Sequence, residues 1–129
     1  MRTNKRVGAV LRRGDEVLLI HRHKNGEEYW VLPGGGVEDE ETNEEALIRE
    51  VMEETSLEVL EFELIRECPG DEGRTHFFFE VVTNIGEPVL GGPEKADMND
   101  NNIYVLEWVN RDQAKTIKDF FPKEAQVYF

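Results

Sequence analysis

Three glutamates on one predicted helix are the side chains of this sequence best suited to bind a metal ion. Glu50, Glu53 and Glu54 lie in a stretch with helical periodicity, and about 100° per residue places them within an arc of roughly 100°. Like charges at this spacing repel, and each close pair costs about 0.2–0.5 kcal/mol. A hard divalent cation prefers oxygen ligands and would remove this repulsion. The sequence therefore predicts a metal site on this helix.

A glycine-rich segment, residues 33–36, precedes the helix and is predicted to be a loose loop whose backbone can approach a ligand closely. A loop carbonyl, two or three carboxylates and water suit octahedral Mg²⁺ or Mn²⁺, which most often serve phosphate chemistry. Arg49 lies four residues from both Glu45 and Glu53 and can pair with either. The acids taken alone fit a solvated helix face equally well.

Short strands around a capped helix must hold these residues in place. Thr42 and Glu45 form a capping box that starts the helix, and the helical pattern ends near Thr55-Ser56. The predicted strands are residues 6–11, 16–22, 29–32, 57–67, 75–82 and 103–109. A second helix is predicted from Asn110 to Pro122, with an apolar stripe of Ala114, Ile117, Phe120 and Phe121.

Composition limits the classes of function that this chain can have. A length of 129 residues predicts one domain spanning residues 1–129. The formal charge of −13 disfavours long nucleic acids, yet small anionic substrates remain possible because a bound cation can reverse the local field. The lone Cys68 fits a reducing cytoplasm, and we find neither a signal-peptide apolar core nor an apolar run long enough to span a membrane.

The acidic segment resembles the signature of the Nudix hydrolase family. That signature is Gly, five residues, Glu, seven residues, Arg-Glu, an aliphatic residue, any residue, Glu-Glu, any residue, Gly and an aliphatic residue. The matching positions here are Gly35, Glu41, Arg49, Glu50, Val51, Glu53, Glu54 and Leu57. Ser56 replaces the final glycine at the helix end, where a left-handed backbone is common. We expect this replacement to alter the helix exit rather than the chemistry.

The resemblance implies an α+β fold in which a mixed β-sheet lies between helices as an α/β/α sandwich. It also implies Mg²⁺- or Mn²⁺-dependent hydrolysis of a small nucleoside diphosphate derivative, such as ADP-ribose or a nucleoside triphosphate. Two alternatives are a binding module of the same fold that senses a nucleotide without hydrolysing it, and a structural Ca²⁺ site. Intact carboxylates argue against the first, and their origin in one helix argues against the second.

Residue roles follow from the resemblance by position. The implied metal ligands are Glu50, Glu53, Glu54 and the carbonyl oxygen of Gly34, and Gly35 and Glu41 support them. Arg49 would orient the carboxylates through Glu41 or Glu54. The general base stays open: Glu50 or Glu53 is favoured, and Glu94, in the long polar segment 84–102, is an alternative base or extra ligand.

Residues outside the signature would have to select the substrate. The candidates for substrate contact are Arg22, Tyr29 and Arg74. Tyr29 and Trp30 point to opposite faces of one strand, so one of them can face the site. His21 and His23 share a strand face and could hold zinc, but the absence of a nearby cysteine or further histidine favours ordinary histidines.

The aromatic C-terminus allows two predictions. Its large side chains are Phe120, Phe121, Tyr128 and Phe129. They form either the interface of a homodimer or the closure of the core.

Overall fold

In a computed structural model, residues 2–70, 73–84, 86–91, 95 and 98–129 are described. The strands are β1 (Arg2–Arg13), β2 (Glu16–Lys24), β3 (Glu27–Val31), β4 (Gly34–Glu38), β5 (Val59–Pro69), β6 (Thr75–Thr83), β7 (Asn102–Asn110) and β8 (Phe120–Phe121). The helices are α1 (Asn43–Thr55), α2 (Arg111–Ala114) and a C-terminal 3₁₀ helix (Lys123–Tyr128). None of the described helices combines the length and apolar character needed to cross a membrane.

The strands form a mixed, curled sheet with β1 near its centre. Strand β1 pairs in parallel with β6 and antiparallel with β4, and its last residues pair antiparallel with β2. Strand β2 continues the sheet through antiparallel pairing with both β3 and β7, and β5 pairs antiparallel with β6. The predicted mixed sheet is therefore confirmed.

Alternating side chains divide the core into two layers, one on each face of the sheet. Along β1, Val7, Ala9 and Leu11 pack on the side covered by α1, whereas Val10 packs on the opposite side. Helix α1 contributes Ala46, Leu47 and Val51 to the first layer. The C-terminal segments cover the second layer with Ala114, Phe120, Ala125 and Phe129. This arrangement is the predicted α/β/α sandwich.

The glycine-rich segment is a strand, so the prediction of a loose loop is wrong. Gly34 and Gly35 pair with Gly8 and Val7 of β1. A Cβ atom on Gly34 would lie 2.0 Å from the carbonyl oxygen of Val7, and its φ of +153° also excludes most side chains. Glycine here permits close backbone pairing, which fixes the segment rather than loosening it.

The predicted helix from Asn110 to Pro122 is also wrong beyond its first turn. Only α2 is helical, and Phe120 and Phe121 instead form β8, which pairs in parallel with Trp30 and Val31 of β3. Phe120 and Phe129 are buried and meet edge to face at 5.1 Å. These two phenylalanines close the core, whereas Phe121 is 54% exposed.

Candidate active site

Helix α1 begins where the sequence predicts and presents its acidic face toward β4. Glu45 N–H donates to Thr42 Oγ1 at 3.1 Å, and Thr42 N–H donates to Glu45 Oε1 at 2.9 Å, which completes the capping box. Because Glu45 serves the cap, Arg49 is left to bind other acids of the segment.

Arg49 connects the acidic residues of the signature. Its Nε and Nη2 donate to both carboxylate oxygens of Glu41 at 2.6 and 2.8 Å, a bidentate pair. Its Nη1 donates to Glu50 at 2.9 Å and to Glu53 at 3.4 Å, and Nη2 reaches the carbonyl of Gly36 at 3.1 Å. The hydrogen bonds to Glu41, followed by those to Glu50, raise the pKa of Arg49, although partial burial opposes this. Arg49 is therefore a fixed cation that orients two of the predicted metal ligands.

Two of the predicted ligands are buried against the glycine strand. Glu50 and Glu54 are each 3% exposed, and Gly34 N–H donates to Glu54 Oε1 at 3.0 Å. A Cβ atom on Gly35 would lie 2.6 Å from the carboxylate of Glu50. Glycine at position 35 thus makes room for this carboxylate beside the backbone.

The donor set fits a hard divalent cation. All the candidate donor atoms are oxygens, and two of the carboxylates are buried. Arg49 contacts the three carboxylates of Glu41, Glu50 and Glu53, so one positive charge faces three negative charges. Among the described residues, the three predicted carboxylates do not lie within 4.8 Å of one another. The side chain of Glu53 is 36% exposed and lies 3.4 Å from Arg49, a longer contact than those of Glu41 and Glu50, so it has room to turn toward a bound ion.

A cleft of about 890 Å³ joins this acidic site to the strands. Its lining includes Gly34, Gly35 and Glu54 of the acidic site and, outside that site, Arg22, Tyr29, Arg74, His76 and Tyr104. The structure therefore brings all three predicted substrate contacts into one cleft with a predicted metal ligand. Glu50 and Glu53 lie outside this lining, and Glu94 falls outside the described residues.

Arg22 is held by two neighbours that sequence reasoning missed. Its guanidinium lies 3.6 Å from the ring centroid of Tyr104 and 5.6 Å from that of Tyr29, and its Nη2 donates to Asn102 Oδ1 at 2.6 Å. Tyr104 and Asn102 occupy alternate positions of β7, of which residues 103–109 are predicted from the sequence. The pairing register between β2 and β7 places them beside Arg22, and no sequence pattern indicates that register. Trp30 faces away from the cleft.

The end of α1 keeps a left-handed geometry despite the replacement of glycine. Ser56 has φ 62° and ψ 14°, and its N–H donates to Met52 O at 2.9 Å. Its hydroxyl donates to Val89 O at 2.8 Å, and Val89 N–H donates to Thr55 O at 2.8 Å. The serine changes the helix exit by adding a side-chain hydrogen bond to Val89, and it replaces none of the predicted metal ligands.

Comparisons with known proteins agree with this fold. The family model described as NUDIX domain matches residues 2–129. The ADP-ribose pyrophosphatase of Methanocaldococcus jannaschii is 31% identical over 88% of this chain and 70% of its own length. An RNA pyrophosphohydrolase of Pelagibacter ubique is 39% identical over 88% of this chain and 66% of its own length. The crystal structure of a NUDIX-family hydrolase from Clostridium perfringens has a TM-score of 0.74 at 21% identity, covering 99% of this chain and 94% of that one.

Proposed function

The chain belongs to the Nudix hydrolase family, and from this premise we propose that it hydrolyses a diphosphate bond in a small nucleotide derivative. The substrate class is a nucleoside diphosphate linked to another group, or a nucleoside triphosphate. Enzymes of this family generally use a divalent metal ion, and we propose Mg²⁺ or Mn²⁺ for this one because its candidate ligands are all oxygens.

The observation that carries the proposal is the content of the cleft. Glu54 and the glycine strand line it together with Arg22 and Arg74, in a chain whose formal charge is −13. Positive side chains gathered in one cleft of an acidic protein are suited to a phosphorylated ligand. A volume of about 890 Å³ falls within the range of small-molecule pockets, roughly 300–1,000 Å³.

Each residue of the acidic site has a distinct role in this proposal. The ion would be held by the carboxylates of Glu50, Glu53 and Glu54 and the carbonyl of Gly34. When bound, it neutralises phosphate oxygens and lowers the pKa of water. Arg49 fixes the orientation of Glu50 and Glu53, and Glu41 in turn fixes Arg49 through two hydrogen bonds.

The reaction is the attack of water on one of the two phosphorus atoms joined by the bridging oxygen of the diphosphate. A P–O bond forms to water, the P–O bond to the leaving phosphate breaks, and a carboxylate accepts the proton that water loses. Glu50 and Glu53 are the candidates for this base, with Glu94 as the third. Arg49 lies closer to Glu50 (2.9 Å) than to Glu53 (3.4 Å), so Glu53 is held less tightly and can move more readily toward the attacking water.

The relatives suggest which substrates to test first. Two of them are named for ADP-ribose and for RNA, and this chain spans only part of each. The charge of −13 favours small soluble nucleotides over long RNA. A panel should therefore contain ADP-ribose, other sugar nucleotides, dinucleoside polyphosphates, oxidised nucleoside triphosphates and capped RNA.

A matched pair of variants on α1 tests the proposal. With Mg²⁺ or Mn²⁺ the protein should hydrolyse at least one member of the panel, and chelation with EDTA should stop the reaction. Glu54→Gln should lower kcat by about 100-fold or more, whereas Glu44→Gln, an exposed acid of the same helix, should leave it unchanged. Binding of a nucleotide without turnover of any compound would favour the non-catalytic binding module instead.

A further inference from the structure

A cluster of histidine and carboxylate side chains lies on the face of β2 opposite to the cleft. Arg22 points into the cleft, so its neighbours His21 and His23 point away from it. Glu28 of β3 is the direct cross-strand partner of His23. One ligand atom from each of His21, His23 and Glu28 lies within 4.8 Å of the others, and this is the metal-compatible cluster found among the described residues.

The donor types in this cluster differ from those of the acidic site. Two imidazole nitrogens and one carboxylate oxygen suit borderline ions such as Zn²⁺, Ni²⁺ or Cu²⁺, whereas an all-oxygen set suits Mg²⁺ or Mn²⁺. Zinc bonds of about 2.0–2.1 Å in a tetrahedron separate neighbouring ligand atoms by about 3.4 Å. Small side-chain rotations would bring the three donors from their present separation to that distance.

His21 is oriented as a metal-binding histidine commonly is. Its Nδ1 lies 3.0 Å from Glu107 Oε2, a carboxylate of β7, and its Nε2 lies 2.5 Å from Glu28 Oε1. A carboxylate that accepts a hydrogen bond from Nδ1–H fixes the tautomer in which Nε2 can bind a metal. The side chain of Glu28 is 59% exposed and has room to withdraw so that an ion can enter between it and Nε2.

Ring stacking further fixes the plane of His21. Its ring lies parallel to that of Trp30, with centroids 3.9 Å apart and an interplanar angle of 5°. The ring of His23 lies 4.4 Å from that of His21. Because Trp30 also packs against the second core layer, the ring of His21 is held by the fold itself.

We propose that His21, His23 and Glu28 form a site for Zn²⁺ or another borderline divalent ion, with Glu107 as the partner that orients His21. The site is separate from the acidic one. It links β2 to β3, the two strands that present Arg22 and Tyr29 to the cleft, so the ion would serve as a structural clamp of that hairpin.

The test must exclude zinc binding at the acidic site. We would therefore titrate metal-free, full-length Glu53→Gln/Glu54→Gln protein with Zn²⁺ by calorimetry. This protein should bind a single equivalent of Zn²⁺. Adding His23→Gln should weaken binding at least about tenfold, and adding Glu107→Gln should weaken it about 10–100-fold. His76→Gln changes the remaining histidine, on the cleft side, and should have no effect.

A second measurement reports the location of the ion. Because Trp30 stacks on His21, Cu²⁺ bound at this site should quench tryptophan fluorescence, and His23→Gln should weaken that quenching in parallel. Circular dichroism of each metal-free variant confirms that it is folded. The proposal is overturned if the Glu53→Gln/Glu54→Gln protein binds no Zn²⁺, or if adding His23→Gln leaves the affinity unchanged.

Discussion

Two regions that meet at the cleft are built in different ways. The first, here called the acidic wall, is the acidic site, of which Glu54 and the glycine strand line the cleft; the second, here called the strand wall, is Arg22 with its neighbours on β3 and β7. On the acidic wall, Glu50 and Glu54 are buried, and Arg49 makes hydrogen bonds to three carboxylates and a backbone carbonyl. On the strand wall, Arg22 is held by a ring contact with Tyr104 and a hydrogen bond to Asn102. On the acidic wall one arginine connects three carboxylates, whereas on the strand wall Arg22 contacts an aromatic ring and an amide side chain.

This contrast separates two tasks within one cleft. A wall whose side chains restrain one another preserves a single arrangement of carboxylates, as a proposed hydrolytic site needs. Arg22 of the strand wall is held by side chains of β3 and β7, so its replacement would leave the hydrogen bonds of Arg49 in place. We therefore expect the reaction to depend on the acidic wall and the choice of nucleotide to depend on the strand wall.

The largest expected effect is at Arg49. Arg49→Lys keeps the charge but loses the planar fork that binds both oxygens of Glu41, so it should lower kcat about 10–100-fold and weaken activation by Mg²⁺. It should also lower the free energy of unfolding by about 2 kcal/mol, because Glu50 stays buried with a poorer partner. Steady-state kinetics at varied Mg²⁺ and urea unfolding would measure both effects. A variant with unchanged kcat would show that the acidic wall does not depend on this residue.

A smaller and different effect is expected at Arg22. Arg22→Ala should raise KM about tenfold with little change in kcat, because the residue would bind substrate without touching the carboxylates. Arg13→Ala is a matched control, since that guanidinium lies 4.2 Å from the ring centroid of Trp108 but does not line the cleft. A fall in kcat at constant KM would contradict the division of tasks between the walls.

The smallest effect is expected at Ser56, behind the acidic wall. Ser56→Ala keeps the left-handed strain and loses the hydrogen bond to Val89, so it should destabilise the protein by about 1 kcal/mol. Ser56→Gly loses the same bond but relieves the strain, so its stability should exceed that of Ser56→Ala by about 1 kcal/mol. Urea unfolding separates the two variants, and kcat/KM should stay constant in both. A changed kcat would show that the helix exit influences the site.

The local parts of this fold could be read from the sequence. Helix α1 was predictable at both ends because Thr42 and Glu45 cap it within a few residues and the apolar pattern stops at its last turn. The helical spacing likewise predicted that Arg49 can pair with Glu53, four residues on, and the two are 3.4 Å apart. These features depend on neighbours that are close along the chain.

Features that depend on distant pairing could not be read in the same way. Phe120 and Phe121 fit a helical stripe as well as a strand, and only their pairing with Trp30 and Val31 decides the outcome. The pairing of Gly34 with β1, the stacking of Arg22 on Tyr104 and the approach of Glu107 to His21 all require the registers of strands far apart in sequence. No local pattern encodes those registers.

The burial of Glu50 and Glu54 has a consequence for how this site can evolve. A buried carboxylate lowers the stability of a fold unless a counter-charge accompanies it. Here Arg49 supplies that counter-charge to Glu50 at 2.9 Å, and Gly34 N–H donates to Glu54 at 3.0 Å, so each buried acid has a partner in the fold. A descendant that lost Arg49 would leave Glu50 buried without its counter-charge, so we expect these two residues to be replaced together rather than one at a time.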